Sequence, residues 1–131
     1  MLGFLKRQQP VTYARFRTSW ASPVPGITHI YFKNLVSAWL VTRELYTKST
    51  VSAPSYRGYA DVTGCDSSGK LWAYRCAEQP GELGVEVVEQ ALQGMRETRA
   101  ARAGVVSISG YTKQAQELAR QEDVRLVVLK E

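Results

Sequence analysis

Acidic residues are missing from the first third of the chain. Glu44 is the first acid, whereas residues 1–43 carry six lysines and arginines. The remaining 88 residues hold 11 basic and 12 acidic side chains, a net charge of −1. The formal net charge of +5 therefore belongs to the N-terminal part, and it does not indicate a domain that binds nucleic acid over its whole surface.

Cysteine, histidine and long apolar runs are also scarce. Cys65 and Cys76 are too few for a disulfide framework and match no zinc spacing, so we predict reduced strand residues. The single histidine, His29, has no second histidine to complete a metal site and is interpreted as a structural or surface residue. The longest apolar run, Leu35–Val41, is far shorter than the roughly 20 residues of a membrane-spanning helix. We therefore expect no metal, no cofactor, no small-molecule substrate and no transmembrane segment.

Residues 1–29 are interpreted as an extended basic N-terminal arm, and residues 30–131 as one α/β domain. The arm interleaves basic and apolar side chains without an acid, as mitochondrial targeting segments do. Two other interpretations stay open: a solvated basic tail, or an arm that lies on RNA or on a partner protein. The residues predicted to bind a partner are Lys6, Arg7, Arg15, Arg17 and Trp20.

The centre of the chain predicts a β-hairpin. Residues 59–65 and 70–76 are rich in strand-forming side chains. Between them, Asp66-Ser67-Ser68-Gly69 is typical of a turn, because short polar side chains bond their own backbone and glycine tolerates a positive φ.

Helices and further strands are predicted on both sides of this hairpin. Apolar residues at helical spacing predict one helix over 33–46 and another that begins near Leu83. Thr112 is suited to cap a helix that runs to about Gln121. Short strands are predicted at 50–53, 105–108 and 125–129, and the last two are expected to be parallel. The pattern predicts a mixed sheet flanked by helices.

Four motifs resemble a known family. They are F-x-x-L-V-x-x-x-L at 32–40, G-x-x-D-V at 58–62, L-G-V-x-x-V at 83–88 and S-x-S-G-Y-T-x-x-A-x-x-L-A at 107–119. In this order they resemble the restriction-endonuclease-like fold, also called PD-(D/E)xK, and specifically its Mrr-type branch. The resemblance covers about residues 30–129 and implies an α/β fold of that class.

The resemblance also implies where an active site would lie. In active members, an Asp on the second strand and a Glu/Gln-x-Lys triplet on the third hold a divalent metal that positions the attacking water. Asp61 matches the Asp, whereas the family's spacing places the triplet at Arg75-Cys76-Ala77. Lys33 stands where many members carry an acid. The implied active site at Asp61, Arg75 and Ala77 is therefore degenerate, with no metal ligand set and an expected ion pair between Asp61 and Arg75.

From this degenerate site we predict a protein that is not an enzyme. The expected function is a non-catalytic accessory subunit of a larger mitochondrial assembly, with a respiratory-chain complex, the ATP synthase or the mitochondrial ribosome as host. Its partners would be the other protein subunits of that assembly. The alternatives are a nucleic-acid-binding module that holds DNA or RNA through the basic arm, and a residual metal-dependent nuclease.

Overall fold

The computed structural model describes residues 11–18 and 28–131. The elements in these ranges are, in chain order, β1 (Val11–Arg15), α1 (Thr28–Thr42), β2 (Lys48–Val51), β3 (Val62–Cys65), β4 (Leu71–Ala77), α2 (Val85–Thr98), β5 (Arg102–Ser107), α3 (Lys113–Glu122) and β6 (Val124–Lys130). No helix within the two ranges has the length and apolar character needed to cross a bilayer.

The six strands within the two described ranges form one mixed sheet in the order β1-β6-β5-β4-β3-β2. The pairs β4–β5, β5–β6 and β6–β1 are parallel, whereas the pairs β4–β3 and β3–β2 are antiparallel. In the β3–β4 pair, Val62 lies opposite Tyr74 and Cys65 opposite Leu71. The beginning of β3 therefore lies at the edge of the sheet where the parallel strands end, which is the edge where α/β folds place their ligands.

Helices cover both faces of the sheet and give it two apolar cores. On one face, α1 buries Phe32, Leu35, Val36, Trp39 and Leu40 against the sheet. On the other face, α2 and α3 pack against each other and bury Val87, Val88, Ala91, Ala115 and Ala119. A buried Val or Leu side chain contributes roughly 1.5–3 kcal/mol, so these two cores hold the helices and the strand ends in place. The predicted α/β fold class is confirmed.

The central hairpin has the predicted turn. Gly69 has a φ of 89°, and the carboxylate of Asp66 accepts hydrogen bonds from the N–H groups of Ser68 and Lys70 at 2.9 and 3.0 Å. It also accepts the indole N–H of Trp72 at 2.8 Å. The hydroxyl of Ser68, the Trp72 indole and the backbone donors hold the pKa of Asp66 below its usual range. The turn thus fixes the register of β3 against β4.

The first helix differs from its prediction. It spans Thr28–Thr42 instead of 33–46. Its first residues include the β-branched Thr28 and Ile30, but burial of Phe32 and Leu35 on the sheet outweighs that weak local preference. After the helix ends, Leu45 adopts a φ of 60°. The other predicted elements lie within three residues of their expected bounds.

Part of the predicted arm belongs to the sheet. Residues 11–15 form β1, which pairs with β6 from Val11 opposite Leu126 to Arg15 opposite Lys130. Phe16, the next residue, is 7% exposed and joins the core under α1. This edge strand forms only by pairing with β6, near the other end of the chain. The composition of residues 11–16 alone therefore did not distinguish a strand of the sheet from an extended arm. The structure thus corrects the arm assignment for residues 11–16.

Candidate active site

Asp61 lies at the edge of the sheet where the parallel strands end. It immediately precedes β3, and its N–H donates to the carbonyl of Tyr74 at 2.9 Å, which extends the pairing with β4. The residue is 5% exposed. Because a buried carboxylate is costly unless it is hydrogen-bonded, the protein must supply the donors.

Those donors are the backbone and a fixed guanidinium. The Oδ2 atom of Asp61 accepts hydrogen bonds from the N–H of Cys76 at 2.8 Å and from Nη1 of Arg75 at 3.0 Å. Arg75 also donates from Nε to Oε1 of Gln90 at 3.0 Å and from Nη1 to the carbonyl of Cys76. Its guanidinium carbon lies 5.8 Å from the centre of the Tyr59 ring. The Asp61–Arg75 pair is therefore held from β4, α2 and the segment before β3.

His29, in the first turn of α1, lies in the same cleft. Its Nδ1 is 2.7 and 3.0 Å from the two carboxylate oxygens of Glu78, the residue that follows β4. Because a carboxylate only accepts, Nδ1 carries the proton in the neutral ring and Nε2 keeps a free lone pair. That Nε2 atom lies 3.7 Å from Oδ1 of Asp61, and the imidazole is 43% exposed. The basic nitrogen therefore faces an open cleft of about 280 Å³.

Lys33, on α1, is a buried lysine that is not among the residues lining the cleft. It is 3% exposed, and its ammonium donates to the carbonyl and hydroxyl oxygens of Ser52 at 3.2 and 3.0 Å. Burial raises the pKa of the Cys76 thiol, and the charge of Asp61 raises it further, whereas Arg75 and Lys33 lower it. The charges of Asp61, Arg75 and Lys33 thus act on the Cys76 thiol, which lines the cleft.

The structure brings together some of the predicted site residues and not others. Asp61 and Arg75 form the expected ion pair. Ala77 lines the same cleft, but it is 3% exposed, packs against the core on the α2 side, and has only a methyl group, which contributes no chemistry. The assignment of these three positions to the family's ligand positions stays a prediction.

The predicted partner-binding residues lie elsewhere. Lys6, Arg7 and Trp20 are outside the described residues. Arg15 and Arg17 are exposed, and Nη1 of Arg15 donates to the carbonyl of Glu131 at 3.1 Å. The strands β6 and β5 separate β1 from β4, so these arginines do not belong to the Asp61 cleft. Their role in binding a partner stays a prediction.

Sequence reasoning missed His29 and Glu78 as site residues. They are 49 positions apart, and His29 was set aside because no second histidine accompanies it. One signal was available: Glu78 directly follows a strand whose carboxyl end lies beside Asp61. Polar residues at that position meet at one edge of the sheet.

The residues of the cleft do not fit the divalent metal that the resemblance implies. Among the described residues, no three His, Cys, Asp or Glu side chains converge on a metal position. Oδ2 of Asp61 is engaged by Arg75 and Cys76, and Glu78 faces His29. A dication about 4 Å from a guanidinium meets a repulsion of about 8 kcal/mol at an effective dielectric constant of about 20.

The sheet, its flanking helices and the cleft define a restriction-endonuclease-like α/β domain. A family model of the Mrr catalytic type, described as restriction endonuclease, matches residues 26–131. The chain belongs to this restriction endonuclease family, and the predicted Mrr-type branch is confirmed. No curated protein matches the chain.

Solved structures of endonucleases share the fold. A repair endonuclease from Pyrococcus abyssi is 15% identical, with a TM-score of 0.57 over 87% of this chain. EndoMS in complex with double-stranded DNA is 15% identical, with a TM-score of 0.55 over 88% of this chain, and EndoMS in its apo form is 16% identical, with a TM-score of 0.53. The chain spans about half the length of each: 50%, 49% and 49%.

These findings overturn the predicted function. The interpretation as a non-catalytic accessory subunit of a mitochondrial assembly is wrong, and so is the prediction that the chain is no enzyme, because the family and its structural neighbours are endonucleases. The expected protein-complex partners find no support. The mitochondrial location rests on the basic arm and stays a prediction.

Proposed function

We propose that this chain is the nuclease domain of an endonuclease that hydrolyses phosphodiester bonds in double-stranded DNA. The observation that carries the proposal is the convergence of Asp61, His29 and Glu78 in one open cleft of a restriction endonuclease family member. The structural likeness to EndoMS in its complex with double-stranded DNA supports the substrate class.

His29 acts as the general base in this proposal. Its Nε2 lone pair accepts the proton of a water molecule as the water attacks the phosphorus, and such assistance typically contributes about 10²- to 10⁴-fold. Glu78, with its oxygens 2.7 and 3.0 Å from Nδ1, fixes the orientation and the tautomer of the ring.

Asp61 completes the arrangement from the other side of the imidazole. When Nε2 takes up a proton, the imidazolium lies between two carboxylates, with Oδ1 of Asp61 at 3.7 Å and Glu78 at 2.7 Å. Their negative charges stabilise the cation that forms during the reaction. Because both carboxylates are held before the proton moves, little reorganisation is needed at that moment.

The test is cleavage of supercoiled plasmid by the purified chain, measured in EDTA, in Mg²⁺ and in Mn²⁺. We expect nicking or linearisation by the unchanged chain and a loss of about 10²-fold or more in kcat/KM for His29→Gln. Asn34→Gln, an exposed change on the same helix, is the matched control and should retain activity. Absence of cleavage in all three conditions, or full activity of His29→Gln, would refute the proposal.

We further propose that the basic N-terminal segment binds the DNA backbone outside the cleft. Arg15 and Arg17 are exposed at the β1 edge of the sheet, which supports this role. If both contact phosphates, Arg15→Gln with Arg17→Gln should lower the salt dependence of DNA affinity by about two counterions, measured by fluorescence anisotropy. Arg96→Gln, an exposed change on α2, is the control; an unchanged salt slope in the double variant would contradict this proposal.

A further inference from the structure

We propose that the cleft binds the scissile phosphate without a resident divalent cation, and that the guanidinium of Arg75 takes the place of the metal beside Asp61. This inference rests on the proposed nuclease function and specifies its chemistry. It is carried by the contacts of Asp61 and by the fixed position of Arg75.

The contacts of Asp61 leave little room for a metal. Its Oδ2 atom accepts hydrogen bonds from Nη1 of Arg75 at 3.0 Å and from the N–H of Cys76 at 2.8 Å. Its Oδ1 atom faces Nε2 of His29 at 3.7 Å. A carboxylate that already neutralises a guanidinium and accepts a backbone N–H is a poor ligand for a dication, because the metal must displace or repel the bound cation.

Arg75 is held in one position but remains accessible from solvent. Its side chain is 19% exposed, and contacts with Asp61, Gln90 and the carbonyl of Cys76 hold it in one orientation. A guanidinium is planar, permanently charged and suited to contact phosphate oxygens. Because it is already in position, it can stabilise the charge that develops on those oxygens without a large entropic cost.

The reaction balances with groups that are present in the cleft and in solvent. The oxygen of water forms a bond to phosphorus, one water proton passes to Nε2 of His29, and the ester P–O bond breaks. The leaving oxygen takes a proton from bulk water in the open cleft, and His29 then returns its proton to solvent. Arg75 donates N–H groups to the non-bridging phosphate oxygens throughout.

The first experiment measures Mn²⁺ binding to the full chain by electron paramagnetic resonance, with Mn²⁺ alone as the probe. We expect the unchanged chain to bind Mn²⁺ no more tightly than Asp61→Asn does. Replacing the guanidinium by a carboxylate, Arg75→Glu, should create a site at least tenfold tighter, and adding Asp61→Asn should abolish it. Arg75→Gln, a neutral change, provides a second variant, and circular dichroism establishes that each variant is folded.

Two outcomes overturn the inference: Mn²⁺ binding by the unchanged chain that Asp61→Asn weakens tenfold or more, or folded Arg75→Glu and Arg75→Gln variants that gain no Mn²⁺ affinity. If neither Arg75 variant folds, the Mn²⁺ affinities of the unchanged chain and of Asp61→Asn decide whether Asp61 holds a metal.

Cleavage provides the second readout. We expect plasmid cleavage to change less than about twofold when EDTA replaces Mg²⁺, whereas strict dependence on an added dication would overturn the inference. If the chain cleaves in no condition, the proposed nuclease function fails. The Mn²⁺ measurements then still decide whether Arg75 excludes a metal from Asp61, so the two failures are distinguishable.

Discussion

Glu78 holds His29 across the mouth of the cleft, with its Oε1 atom 2.7 Å from Nδ1 of the imidazole. The two residues come from the end of β4 and the first turn of α1, so the contact joins the sheet edge to the helix that covers it. The ring is 43% exposed, and this contact therefore decides where its second nitrogen points.

Removing that contact should slow cleavage without changing DNA affinity. We expect Glu78→Ala to lower kcat about tenfold or more with little change in KM, because a positioning residue acts on the transition state and not on substrate binding. Glu78→Gln should recover part of the rate, since its amide oxygen still accepts the Nδ1 proton. Glu82→Ala, an exposed acid four residues further on, is the control; equal rates for Glu78→Ala and Glu82→Ala would contradict the role.

Asp66 in the hairpin turn should give stability that depends on pH. Its pKa is lower in the folded than in the unfolded chain, chiefly through the Ser68 hydroxyl and the Trp72 indole. The stabilisation is therefore complete above the unfolded value of about 3.9 and is lost as the pH falls towards the lower folded value. We expect Asp66→Asn to lower the Tm at pH 7, and the difference from the unchanged chain to shrink between pH 4 and pH 2.

Thermal melts followed by circular dichroism measure this difference. Glu122→Gln removes an exposed acid at the end of α3 and should leave the Tm nearly unchanged across the same range. If the difference in Tm between Asp66→Asn and the unchanged chain stayed constant from pH 7 to pH 2, the carboxylate of Asp66 would not be the source of the pH-dependent stability.

The two cysteines should differ in reactivity. Cys76 has no exposed surface, and burial raises the pKa of its thiol, so little thiolate forms and reagents cannot reach it. Cys65, on β3, is partly exposed. With Ellman's reagent at pH 8 we expect one thiol per chain to react in the native protein and two in guanidinium chloride. Rapid labelling of both thiols in the native protein, read by peptide mass spectrometry, would contradict the described core.

Gly94 in α2 should not tolerate a methyl group. A Cβ there would lie 2.9 Å from the backbone nitrogen of Ala60 and 3.0 Å from the carbonyl carbon of Tyr59. Replacing glycine by alanine inside a helix normally stabilises by about 1 kcal/mol. Here overpacking against rigid backbone should outweigh that gain, and we expect Gly94→Ala to lower the free energy of unfolding by about 1–3 kcal/mol.

Urea unfolding measures the effect of Gly94→Ala. Gly110→Ala is the control, because a Cβ at Gly110 would meet no atom within 4 Å. A stabilised Gly94→Ala variant would show that the approach of α2 to the segment before Asp61 is looser than described.

Local features of the sequence were enough to predict most of the fold. The hairpin turn at 66–69, the Thr112 cap, which accepts the N–H of Ala115 at 3.1 Å, and the alternation of helices and strands are all specified within short windows. The four motifs together predicted the restriction endonuclease family. Such features depend on propensities and spacings that neighbouring residues set.

Only the tertiary structure showed that β1 belongs to the sheet and that His29 meets Glu78. The strand β1 forms on an edge of β6 that lies more than 100 residues away in the chain, and the imidazole meets its carboxylate across 49 positions. Neither contact leaves a periodic signal in the sequence. The proximity of the two partners depends on how the strands of the sheet are ordered, which no short window of residues specifies. The sequence by itself determined the class of fold and the position of Asp61, whereas packing decided which charges surround that carboxylate.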